Sequence, residues 1–498
     1  MKLPKYVITL LATLLFLLLF FEKSLGLNVA ICGTSTLVLL AMFKRDIFTS
    51  VLSKVIGLGL LLSSICYYLF ASPLTLVLAI VSFLLLFGIY TLEPVRNLMY
   101  AVPNSVSNFF ASIGDFFKSF RGRGKKNRSY GISRVFRIIA LPFFIILLFL
   151  AVYSMGSTYF SKAVGDFFSI FEGVVERIAN YIDIVAVFVG LLGFLFSVLH
   201  SLKPKASNVP ETLKSDFLTR SKSKWSKINR LMDLSTELKS GMFLFYALSF
   251  LLAVLLFLEI KNVWFGFVWE GELLKEFVHE GTYILIFAIL LSMAVTMYFF
   301  RKNLNFHPKN KGLKIAAFSW IGLNLLLVVS VFIRNYYYIQ HFGLAYKRIG
   351  VVFFLLLCIV GLISIVVKIK DKRTTYFITR VNSLAAYVTL ICICLFNWDV
   401  IIAKYNFKHY QTAFVHLPFM SNLSDKALPY LLITDDEVAE IEEKQLQHIP
   451  FARKGYFKEV DYQNKIALRV ENFKNNCSER QWLEQVWAEK KAYKMLED

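Results

Sequence analysis

Charge is scarce in this chain. Only 18% of its 498 residues are Asp, Glu, Lys or Arg, while 57% are hydrophobic. A soluble domain carries about a quarter charged residues, so a soluble fold is excluded at the outset. Cysteine is also sparse. Of six cysteines, Cys32, Cys66, Cys358, Cys392 and Cys394 lie in apolar runs and Cys477 stands alone, which excludes a disulfide framework. Cys392 and Cys394 point to different faces of a helix and make a poor metal site. Phosphate-loop, zinc-protease, nucleophile-elbow and dinucleotide-binding patterns are missing in any valid context. No internal repeat is visible, which weakens an inverted-repeat transporter. The apolar runs hold no Asp, Glu, Lys or His at mid-depth, so the carboxylate or histidine relay of an ion-coupled pump is lacking. A signal peptidase site is lacking too. Lys2 and Lys5 precede an apolar run, but bulky or charged Phe20, Phe21, Glu22 and Lys23 follow it. The run is therefore expected to be a retained first span.

What is present is a series of long apolar segments. Backbone polar groups inside lipid must be satisfied within the segment, so such runs are helices. Spans are expected at 5–21, 26–43, 53–71, 73–92, 136–158, 181–201, 240–259, 281–300, 313–333, 349–367 and 376–397, about eleven in all. The predicted fold is thus an all-α polytopic transmembrane helix bundle. Gly33, Thr34, Ser35 and Thr36 make 26–43 a span suited to close packing between helices. Ala71-Ser72-Pro73 should turn a hairpin. The 49 Phe fit a surface that faces lipid.

Charge gives the segments a direction. The formal charge is +21, which in a soluble protein would suggest nucleic acid. Here the basic segments 1–5, 44–54, 93–137, 202–239, 301–314 and 368–380 all fall on one side when the N-terminus is cytoplasmic, as the positive-inside rule requires. The opposite loops and the tail hold most of the acids. This predicts a bacterial cytoplasmic membrane protein with a cytoplasmic N-terminus and an extracytoplasmic C-terminus.

Four regions result: a four-span segment (1–92), an amphipathic and polybasic cytoplasmic loop (93–135), a seven-span domain (136–398) and a small, mostly helical extracytoplasmic tail (399–498). In the loop, apolar residues from Leu98 to Phe120 recur at helical spacing before RGRGKKNR (121–128). That pairing should lie on anionic lipid. The loop 202–239 places Trp225 among lysines, but no RNA-binding module is visible and no nucleic-acid partner is expected. Stretches 160–178 and 271–281 should be interfacial helices on the outer side. In the tail, Thr434-Asp435-Asp436-Glu437 is a capping box that opens a helix to about Gln447. Ser478 is expected to cap a last helix holding Trp482 and Trp487. The tail should dock on the outer ends of the spans instead of folding alone.

Candidate site residues gather on the outer side. Glu276, His279 and Glu280 share a helix face, but a single Glu-x-x-His copy falls short of the two that a di-iron bundle uses. Neither a metal nor another cofactor is expected. No nucleophile accompanies His279, so no catalytic residue is assigned. The loop around 259–280 carries Glu259, Glu270, Glu272, Glu276 and Glu280, whereas 334–348 holds Arg334, Lys347 and Arg348 and no acid. Arg334 or Arg348 is predicted to pair with Glu276 or Glu280. Asn324 is the clearest intramembrane polar residue, and a helix–helix hydrogen bond is its simplest role.

Four stretches occur in order: EFVHEGTYILI (276–286), FFRKNLNF (299–306), HFGLAYKRIGV (341–351) and NWDVIIAKYN (397–406). Together they resemble a family of bacterial polytopic inner-membrane proteins known as a domain of unknown function. The resemblance runs from about residue 240 into the tail and does not reach the first four spans. Its recurrent positions map to His279, Glu280 and Gly281 and to Gly343, Leu344 and Arg348; Ala345 stands where Thr is more usual. It implies a membrane location and supplies no activity. The expectation is a non-catalytic envelope scaffold or accessory protein, with the bilayer, anionic lipids and envelope proteins as partners. A transporter or channel, or an outer-leaflet-facing enzyme, are the alternatives.

Overall fold

The computed structural model describes residues 16, 18–20, 23–43, 48, 50–91, 95–103, 105, 215–220, 234–265, 271–301, 303–448 and 459–497, with only the backbone for 39, 42–43, 87, 90–91, 271–280, 445–448 and 459–461. The predicted spans 136–158 and 181–201, most of 5–21, the outer helix 160–178 and the polybasic run lie outside the described residues.

Helices follow the apolar runs. They are α1 (Leu27–Phe43), α2 (Val51–Phe70), α3 (Pro73–Thr91), α4 (Leu234–Glu259), α5 (Gly271–Phe299), α6 (Lys311–Phe342), α7 (Tyr346–Asp371) and α8 (Thr375–Cys394). Six of the described helical segments are long and apolar enough to cross a membrane, and two shorter apolar stretches lie in α1 and α3. The all-α expectation holds: among the described residues the only β-type pairing is an isolated bridge between Phe217 and Arg373.

The outward surface of α4 shows which solvent it meets. Phe243, Phe250 and Phe257 recur every seven residues and are 78%, 73% and 66% exposed, while Phe245, Leu252 and Leu256 behind them are buried. Large apolar side chains on the outside of a packed helix need lipid around them. The protein is an integral membrane protein.

Two apolar cores lie within the bundle. One joins α4, α5, α6 and α7 around Phe245, Ile289, Leu313, Ile321 and Leu362. The other joins α2 and α3 to Tyr387, Ile391 and Cys394 of α8. The α2–α3 hairpin turns where expected. Ala71 adopts a left-handed conformation (φ 46°), and its N–H donates to the Tyr67 carbonyl at 2.7 Å. Pro73 then opens α3, where its missing N–H does no harm. Gly33 of α1 lies against Ser64 of α2, as its small size predicts, and Gly59 of α2 leaves room for the Tyr387 hydroxyl. That hydroxyl pairs with Ser82 Oγ at 2.6 Å. Helix α8 thereby fastens the early spans to the later ones.

Helix α6 departs from the predicted span. It runs to Phe342, nine residues past the expected end, so the supposed loop 334–348 is a three-residue turn, Gly343 to Ala345. Its 32 residues give about 48 Å of helix, well beyond the ~30 Å of hydrocarbon. Helix α5 is likewise continuous through Gly281, with no break between the interfacial stretch and the span.

The tail has a core of its own. Helices α9 (Trp398–Lys408), α10 (Leu417–Met420), α11 (Asp435–His448), α12 (Glu459–Ser478) and α13 (Trp487–Glu497) enclose Ile402, Val415, Leu428, Val438 and Ile466, with Ile349 of α7 added from the bundle. The expected capping box is present: Thr434 N–H donates to Glu437 Oε2 at 2.8 Å, and Glu437 N–H to Thr434 Oγ1 at 3.3 Å. Ser478 corrects the prediction. It ends α12 and does not cap the last helix; its hydroxyl donates back to Asn475 O at 2.7 Å. Gln481 and Glu484 cap each other in a short turn at Trp482–Glu484, and α13 begins only at Trp487.

Candidate functional site

The helix ends sort into two faces. One meets the tail; the other carries Lys368, Arg373 and Arg380 with the segment 215–220. The site residues on α6 and α7 gather on the tail face.

Helix α6 brings Ser330 and Arg334 to one side, four residues apart. Arg334 donates through Nε at 2.8 Å and through Nη2 to the Glu259 carboxylate at the end of α4, and Ser330 Oγ donates to the same group at 2.7 Å. Both charged side chains are buried, at 6% and 7% exposure. A carboxylate in so dry a place needs that fork of donors. Arg334 thus pairs with Glu259, whereas the partners predicted for it were Glu276 and Glu280. The side chains of Glu276, His279 and Glu280 lie outside the described residues; their backbone forms the first turns of α5.

The α6–α7 turn is made by contacts from the tail. Gly343 has φ 73°, a conformation that favours glycine, and Asn406 of α9 sits where its side chain would be. Asn406 accepts from Leu344 N–H at 2.6 Å and donates to Leu344 O at 3.0 Å. Phe414 N–H donates to His341 O at 2.7 Å. Arg348 donates to Phe342 O at 2.7 Å and to Gly343 O, satisfying carbonyls that end α6. Its guanidinium lies over the Tyr338 ring, 4.2 Å from the centroid. Asn335 Nδ2 donates to Arg348 O at 3.1 Å. Two of the quoted stretches, HFGLAYKRIGV and NWDVIIAKYN, are thus one interlocked unit.

Asp399 is the second junction. It accepts from Lys426 Nζ at 2.8 Å, Ser424 Oγ at 2.5 Å and the Tyr346 hydroxyl. Lys426 is buried and also donates to Phe70 O, the last carbonyl of α2, at 2.6 Å. Glu484 accepts from Ser24 N–H at 2.9 Å. His416 begins α10 and accepts Phe419 N–H through Nδ1 at 2.9 Å. Burial lowers its pKa; a backbone hydrogen bond partly opposes this, and the nearby Arg348 charge adds a smaller lowering.

A cavity of about 400 Å³ opens between α5, α6, α7 and α10. Thr282 and Tyr283 of α5, Asn335 and Tyr338 of α6, Lys347 and Arg348 of α7 and Phe419 of α10 line it. Among the described residues no group of three His, Cys, Asp or Glu could hold a metal ion.

Asn324 is buried in α6, and its amide nitrogen donates to Trp320 O of its own helix at 2.8 Å. Asp399 and Asn406 were not among the predicted site residues, although both stand in a quoted stretch. Their signal was weak: a lone Asp and a lone Asn on a short amphipathic helix more often face water.

A bundle of membrane-crossing helices with a folded helical tail packed against one end of the described helices defines a polytopic membrane protein. The chain belongs to the family described as domain of unknown function DUF4153, whose model matches residues 9–432. This corrects the narrower resemblance: the match takes in the first four spans and stops at the start of α11, leaving the rest of the tail outside. No curated protein and no solved structure matches the chain.

Proposed function

We propose that the protein is a non-catalytic scaffold or accessory protein of the bacterial cytoplasmic membrane, with its N-terminus in the cytoplasm and its tail outside. The observation that carries this reading is the Asp399 junction. It holds the tail against Tyr346 of α7 and, through Lys426, against the end of α2. A tail fixed at two separate helices is a rigid platform, and rigidity lowers the entropic cost of holding a partner. The alternation of basic segments supports the sidedness, and the polybasic loops suit anionic lipid on the cytoplasmic side. The described cavity lies at the tail end of the helices, not across them, which favours this reading over a channel.

Crosslinking and pull-down from native membranes tests it. Envelope proteins should be recovered with the wild type and lost when Asp399→Asn loosens the tail. Equal recovery from both would overturn the platform. A tag after Asp498 that is reachable only from the cytosol would overturn the sidedness. An outer-leaflet enzyme is favoured by one observation, the cavity at Thr282, one turn beyond His279. Loss of phenotype in His279→Ala with all partners retained would select it.

A further inference from the structure

The cavity between α5, α6 and α7 holds two cations and, among its described lining residues, no acid. Arg348 and Lys347 have no carboxylate partner among the described residues, whereas nearby Arg334 is neutralised by Glu259. The cavity also contains an orphan. Thr282 is 5% exposed, and its hydroxyl has no hydrogen-bond partner among the described residues. A buried hydroxyl without a partner costs about 1–3 kcal/mol, and such groups point to something that completes the site. Beside these polar groups, Val351 and Phe419 give the cavity an apolar wall.

The location narrows the occupant. Tyr283 and Tyr346 line the cavity and are about half exposed, and Ile284 next to them is 63% exposed. Tyrosines beside an outward-facing aliphatic surface mark the boundary between hydrocarbon and headgroups. A volume of about 400 Å³ is within the range of small-ligand pockets, ~300–1,000 Å³. It accommodates a headgroup and the first carbons of a chain, not a whole lipid.

We propose that this cavity binds the phosphate headgroup of a membrane lipid from the leaflet on the tail side. Arg348 and Lys347 meet the phosphate charge, Thr282 donates its hydroxyl to a phosphate oxygen, and the acyl chains leave past Tyr283 and Ile284 along α5. A guanidinium already held by the Phe342 and Gly343 carbonyls loses little further freedom on binding. This goes beyond the scaffold reading, and either can fail without the other.

The test uses the full-length protein purified in an uncharged maltoside detergent. Dioctanoyl phosphatidylglycerol should raise the melting temperature in a saturable manner, because a ligand of the folded state stabilises it by mass action. Dioctanoylglycerol, which lacks phosphate, should give no shift. Inorganic phosphate should give none either; an equal shift would overturn the lipid assignment in favour of a free anion. Lys347→Gln on its exposed position should weaken phosphatidylglycerol binding several-fold and leave the unliganded melting temperature unchanged. Thr282→Val keeps the shape, removes the orphan and should weaken binding about threefold. Arg348→Gln should weaken it more than tenfold, and the other two variants keep the test valid if that protein does not fold. Unchanged affinity in Lys347→Gln and Thr282→Val overturns the proposal. So would restored unliganded stability in Glu280→Arg with Arg348→Glu, because the guanidinium would then belong to a carboxylate.

Discussion

The two ends of the bundle handle charge differently. On the tail face, Glu259 meets Arg334 and Asp399 meets Lys426 in buried places, each carboxylate collecting three donors. On the basic face, Arg380 reaches Asp216 at 2.9 Å with 28% and 16% exposure, and Arg301 reaches Glu237 at 3.4 Å with 36% and 23%. Lys368 is the buried cation there, and it donates to Phe300 O at 3.1 Å and Arg373 O at 2.9 Å. Backbone carbonyls at helix ends carry partial negative charge and suit a cation. The basic face thus holds its cations with wet pairs and carbonyls. The tail face builds dry ionic junctions, which are costly to leave half-made. The difference teaches that the tail face is where single substitutions should do most damage.

The sharpest way to break this contrast is at Glu259. Removing one partner strands a buried charge, so Glu259→Gln or Arg334→Met should each lose about 3–5 kcal/mol of stability. The double variant should recover much of that loss. Unfolding in detergent with a double-mutant cycle measures it; additive losses would show that the two groups do not act as a pair. Next in size, Asp399→Asn leaves Lys426 buried without its counter-charge and should cost about 2–3 kcal/mol. Limited proteolysis should then cut the tail before the spans, and uniform resistance would show that the junction is dispensable.

Acid offers a milder probe. The folded protein holds His416 neutral, with its pKa lowered chiefly by burial. The unfolded chain takes up the proton near pH 6.5. Stability from this group is therefore full above that pH and is lost as the pH falls below it, because the unfolded state binds more protons there. Protonation also removes the acceptor for Phe419 N–H. Tail protection measured by hydrogen exchange should drop between about pH 6.5 and 5, and His416→Gln should flatten that dependence. The smallest effect belongs to the basic face. Asp216→Asn breaks a partly exposed pair and should cost no more than about 1 kcal/mol. A loss as large as that of Glu259→Gln would erase the contrast between the faces.

Much of the fold was legible because lipid imposes a strong rule. Apolar length alone located α2, α4, α7 and α8, and the Ala71-Ser72-Pro73 turn needed only local chemistry. The end of α6 was misread because Arg334, Asn335 and Tyr336 look like a loop by hydropathy. The helix continues because Arg334 has Glu259 and Asn335 has the Arg348 carbonyl as partners, and it stops where Gly343 can take a positive φ. The site was less legible. Glu259 stood in the acidic run, but nothing in the sequence distinguished it from Glu276 or Glu280. Asp399 and Asn406 act through partners tens of residues away in sequence, and no local pattern reports such contacts. An amide such as that of Asn324 can bond its own helix as readily as a neighbour.

The bond from Lys426 to the Phe70 carbonyl spans 356 residues of chain. During synthesis the α2–α3 hairpin emerges early, whereas Lys426 leaves the ribosome only after every described span has been made. The first half of the protein therefore waits in the bilayer with that carbonyl uncapped by lysine. A nascent chain that ends before this point can insert its helices but cannot make this latch, so incomplete copies differ from finished ones at the end of α2.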